Sequence, residues 1–191
     1  MFPQLPAWDS IHPLVVHFPI ALLIVAPILV LAGLFWSGHS RGLYAAALIL
    51  MVIGTIGTFV AVSSGQATEG MAEKIAGAEA ILSRHEELAE TTRTIFTALT
   101  LIFAAILFTP RLFKRELGRR TSSMVITAFL AFYLAGTMVL ANTAHQGGRL
   151  VHELGVRAAG FSAPQPGQSQ PTSAPPEQNS GGKPDQNRDN D

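Results

Sequence analysis

The chain has 191 residues, no formal net charge, 48% hydrophobic residues and only 14% charged ones. This is too apolar for an ordinary soluble domain, and it leaves no bulk positive charge for a nucleic-acid partner. Cysteine is absent, which excludes disulfides, thiolate metal sites, c-type haem attachment and cysteine nucleophiles.

The first apolar run spans residues 17–36 and opens with HPLVVHFPIALL, residues 12–23. A helix needs about 20 apolar residues to cross a bilayer, and this run supplies them. Pro13 suits a first helical turn, with Asp9 or Ser10 standing where an N-cap is expected. Pro19 also falls early, where few backbone donors are lost. His12 and His17 are five residues apart, roughly 140° around a helix, so both rings cannot face one direction. His17 lies deeper in the run and is expected to point into the bundle, with His12 at the rim.

The second run, residues 43–63, continues into small residues at Gly54, Gly57, Ala61 and Gly65. Such a stripe lets a flat ligand or a neighbouring helix approach closely. The third run, 94–109, is shorter but extends backward as a helix through Leu88. His85 precedes it in SRHEELAETTR and shares a stripe with Leu88, Ala89, Thr92 and Phe96. The fourth run, 124–142, leads to NTAHQGGRLVHELGV, which holds His145 and His152. Gly147 and Gly148 are expected to end that helix, leaving RLVHELGVRAA as a short external amphipathic helix. Beyond residue 160 the chain turns to Pro, Gln, Ser, Gly and Asp, a composition that reads as a disordered tail over 161–191.

None of the four runs holds Lys, Arg, Asp or Glu. Spanning backbone must satisfy its own hydrogen bonds, so such runs form helices. The expected fold is an all-α membrane protein, an antiparallel bundle of four transmembrane helices within residues 1–160. Its orientation follows from the basic residues. The first 40 residues hold no Lys or Arg, unlike a secretory signal peptide. RLFKRELGRR, between the third and fourth runs, holds Arg111, Lys114, Arg115, Arg119 and Arg120, and Arg41 lies between the first and second. Basic residues in short loops mark the cytoplasmic side. Both termini and the loop between the second and third runs are then expected outside, the periplasm of a Gram-negative bacterium.

On that topology five of the six histidines, His12, His17, His85, His145 and His152, fall at the outer end. Only His39 sits in a cytoplasmic turn. Bundle ends and cores are where facing helices build cofactor sites, and ionisable groups at membrane depth mark function. Imidazole suits zinc, copper, nickel and iron, and an axial histidine pair holds haem b. His17, His85 and His145 are the expected iron or metal ligands, with His12 or His152 capping a propionate or a second iron. Glu69, Glu86, Glu87 and Glu153 are candidate partners for orienting the rings. No HExxH, Ser-His-Asp spacing, phosphate-binding loop or dinucleotide fingerprint is present.

Three stretches, HPLVVHFPIALL, SGQATEG at 64–70 and HQGGRLVHELGV at 145–156, together resemble a bacterial membrane family, the transmembrane domain of unknown function number 2231. The resemblance covers about residues 8–160 and implies a four-helix membrane domain. Some members resemble fusions to cytochrome c-like modules, which implies a redox setting, whereas this chain has no CxxCH. The expected function is a haem b-binding electron carrier of the bacterial inner membrane. Its partners would be the lipid bilayer and respiratory or electron-transfer proteins, with no catalysis required. A structural or assembly subunit of a larger membrane complex, and a divalent-metal binding or delivery protein, are the alternatives.

Overall fold

The computed structural model describes residues 12, 15–72, 77–113 and 118–153, with 68–72 and 111 described by backbone alone. The four expected spans are helices: α1 His17–Phe35, α2 Ser40–Ala72, α3 Glu79–Leu112 and α4 Arg119–His152. All four are long and apolar enough to cross a membrane. The structure holds no strand among the described residues.

Three of the helices outrun the apolar stretches that announce them. α4, with 34 residues, is about 51 Å long at 1.5 Å per residue, against a hydrocarbon core of about 30 Å. The end of α2, the start of α3 and the end of α4 all lengthen at one end of the bundle, beside His12. That histidine end therefore reaches beyond an apolar slab centred on the four runs. The expected break at Gly147–Gly148 does not occur, because α4 continues through both to His152. A helical glycine costs about 1 kcal/mol relative to alanine, and here Gly147 packs against a neighbouring helix. Residues 149–152 are thus the last turn of α4 and not the start of a separate external helix. The rest of that predicted segment, the proposed caps Asp9 and Ser10, and the tail 161–191 lie outside the described residues.

Side-chain contacts fix the arrangement. Along the first hairpin, Gly65 meets His12, Gly57 meets Pro19, Gly54 meets Leu23 and Gly33 meets Tyr44, an antiparallel order. Along the second, Gly147 meets His85, Gly136 meets Ile95 and Leu99, and Phe129 stacks on Phe103. α2 also packs on α3, and α1 on α4. α1 and α3 are therefore diagonal partners, as are α2 and α4.

The core changes character along its length. The half away from the histidines is filled by large rings: Phe96, Tyr133, Phe129, Phe103 and Tyr44 form a continuous series of ring contacts. Toward the histidines the core mixes buried leucines, Leu88, Leu140 and Leu150, with buried hydroxyl side chains. Thr92 and Thr143 share a hydrogen bond of 2.8 Å, and Thr143 Oγ1 also donates to the Leu88 carbonyl at 3.1 Å. Deeper, Thr55 and Thr100 are 2.8 Å apart. Outward faces carry Ile28, Ile56, Leu101, Phe132 and Met138, as lipid contact requires.

Pro27 interrupts α1. Proline has no N–H, so the carbonyl four residues earlier, that of Leu23, loses its intrahelical donor. Tyr133, fully buried on α4, donates its hydroxyl to that same carbonyl at 2.8 Å. The proline of one helix is matched by the phenol of another.

Candidate functional site: a histidine pair between diagonal helices

Just before α1, the Val16 N–H donates to the His12 carbonyl at 3.0 Å. The His12 ring lies on α2. Its Nδ1 lies 3.0 Å from the Ala61 carbonyl oxygen and 3.0 Å from Ser64 Oγ. Across the bundle, the His85 ring of α3 lies on α4, with Nδ1 3.0 Å from the Thr143 carbonyl oxygen. Both rings are part-buried.

A carbonyl oxygen only accepts, so in each ring Nδ1 must carry the proton. The neutral ring then bears its lone pair on Nε2. Ser64 Oγ donates to the Ala61 carbonyl at 3.0 Å, so it accepts from His12 and completes the cradle. No partner for either Nε2 is found among the described residues. This arrangement, Nδ1–H held by a backbone carbonyl and Nε2 left as the basic nitrogen, is that of histidines that bind metal. Burial lowers the His12 pKa below that of a free imidazole; the Ala61 hydrogen bond opposes the shift, and the nearby charge of His85 adds to it. The neutral form of His12 is therefore favoured.

The other predicted histidines do not join the pair. His17, expected to face inward, is exposed, while His12, expected at the surface, is part-buried and hydrogen-bonded. The two roles are reversed: the His12 ring meets α2 at Ala61 and Ser64, while His17 begins α1 beside the outward-facing Phe18. His145 and His152 are exposed on α4. The continuous helix carries His145 two residues past Thr143, off the inward face. Among the predicted acidic partners, Glu87 pairs with Arg84 and Glu153 with Arg149, the Arg149 bond lowering the Glu153 pKa. Glu69 has no described side chain. Of the five rim histidines, His12 and His85 are the part-buried ones with a ring nitrogen on a carbonyl of a neighbouring helix. Among the described residues no three His, Cys, Asp or Glu side chains converge as a metal-holding group.

Sequence reading missed the acceptors. Ala61 and Thr143 act through backbone carbonyls, which no residue type announces. Gly65 was visible as a small residue, but its neighbour is a histidine ring. Gly147 was read as a helix breaker and is a packing surface for His85.

No curated protein and no solved structure matches the chain. The family model described as a predicted membrane protein (DUF2231) matches residues 9–160. That range contains all four helices and both rings of the pair, and the chain belongs to this family of predicted membrane proteins.

Proposed function

We propose that this membrane protein binds haem b through His12 and His85 and carries electrons at the outer end of its bundle. The observation that supports this most is the matched pair of imidazoles, one just before α1 and one on α3, each with Nδ1 spent on a carbonyl and Nε2 left basic. A porphyrin brings four nitrogens of its own and needs only two axial ligands, one per face. A naked zinc ion takes four donors, three of them from protein even in open sites, and here two rings stand without a third donor among the described residues. Held by His12 and His85, haem would supply reversible one-electron chemistry, so the reading is electron transfer. The short basic loops put the opposite end in the cytoplasm, so exchange would be with a partner on the outer side.

Absorbance of protein purified in mild detergent from haem-replete cells tests this. The expected spectrum has a Soret band and, after dithionite, sharp α and β bands that air removes. Protein that is folded and colourless contradicts the proposal. Recovery of a stable complex with other membrane proteins, still colourless, would favour an assembly subunit instead.

A further inference from the structure

The two hairpins hold their rings in the same way, and the match continues along the helices. In each, a histidine near the outer end of the first helix (His12 just before α1, His85 in the second turn of α3) meets the second helix at a carbonyl and at the glycine four residues later: Ala61 and Gly65, Thr143 and Gly147. Laying His12 on His85 carries the buried Leu23, Ala26 and Val30 onto the buried Phe96, Leu99 and Phe103. Laying Gly65 on Gly147 carries Gly54-Thr55 onto Gly136-Thr137, and both Gly54 and Gly136 are buried against the first helix of their own hairpin.

The spacing of four has a physical cause. A helical side chain leans toward the N-terminus and covers the turn before it. A side chain at residue 65 would cover the carbonyl of residue 61, and one at 147 that of 143. Glycine uncovers both. It also lets the rings close in. A Cβ on Gly65 would stand 3.3 Å from His12 Cε1, and one on Gly147 only 3.0 Å from His85 Cε1. Gly148, the next residue, has nothing within 4 Å of such a Cβ.

We propose that the chain is two copies of one ring-holding unit, and that Gly65 and Gly147 are the positioning residues that fix the planes and tautomers of His12 and His85. The ring geometry stands on its own; its use as an axial pair rests on the haem reading above. The two copies run in the same direction, so they are related by an approximate two-fold axis along the bundle, with one ring on each side of it. Gly147, with the tighter contact, tolerates a methyl group less well than Gly65.

The test uses full-length protein labelled with ¹⁵N-imidazole histidine, in detergent and without added haem, as wild type, Gly65→Ala, Gly147→Ala and Gly148→Ala. Wild type is expected to show two rings as the Nδ1–H tautomer. Gly147→Ala should shift the His85 signals and weaken that preference, and Gly65→Ala should do the same, less strongly, to His12. Gly148→Ala, in the same turn of α4, should leave both unchanged and shows that a methyl group there is compatible with folding. Unmoved His85 signals in Gly147→Ala, or equal effects of Gly147→Ala and Gly148→Ala, overturn the inference. With haem supplied, Gly147→Ala should hold it several-fold more weakly, and its reduced form should bind carbon monoxide where wild type does not. Shifted ring signals in a protein that never takes up haem would uphold the positioning role and sink the haem reading alone.

Discussion

In His12 and His85 a backbone carbonyl fixes where the ring proton sits. For His12 this has a consequence in pH. Burial, with the charge of His85 beside it, lowers its pKa in the folded protein, so the unfolded chain binds a proton there more readily. Stability from this ring is complete above the ordinary imidazole pKa of about 6.5 and is lost as pH falls below it toward the depressed value. The thermal midpoint in detergent should hold steady from pH 8 to 7 and decline between 6.5 and 5, and His12→Gln should flatten that decline. An identical pH profile for wild type and His12→Gln would show that this ring is not the titrating group. The sequence shows the histidines, but the burial expected for His17 and His12 is reversed in the structure, for a reason peculiar to membranes. In a soluble protein depth within an apolar run signals burial, but in a bilayer the outward face is just as apolar. His17 lies deeper in the run than His12 and is nevertheless the exposed ring.

At the scale of the helices, composition alone set the number of spans and their order. What it did not show are features that depend on partners across the bundle. Gly147 and Gly148 have the local signature of a helix end, but a continuous α4 is what brings Gly147 under His85. Pro27 has the local signature of a kink, and its cost is met by Tyr133, more than a hundred residues away in sequence. Removing the phenol hydroxyl in Tyr133→Phe leaves the Leu23 carbonyl buried without that donor, and it should destabilise the protein by about 1–3 kcal/mol. Pro27→Ala restores the intrahelical N–H, so the double variant should recover much of that loss. Unfolding measured by denaturant in detergent gives the four free energies. Strictly additive effects would mean that proline and phenol act independently.

The whole molecule has two unlike ends, and the account assigns them to opposite sides of the membrane. The absence of native cysteine makes this easy to test, because any single cysteine reports alone. Gly118→Cys, at the exposed start of α4, should react with an impermeant thiol reagent only after cells are opened, and His152→Cys should react in intact cells. The reverse pattern would put the histidine pair on the cytoplasmic side. The most direct test of the central claim is the dithionite-reduced minus oxidised spectrum, recorded for wild type and for single alanine substitutions of His12, His17, His85, His145 and His152. The account predicts that His12→Ala and His85→Ala each lose the sharp α band, while the other three keep it at wild-type intensity. Loss of the band in His17→Ala or His145→Ala, with His12→Ala unaffected, would contradict it.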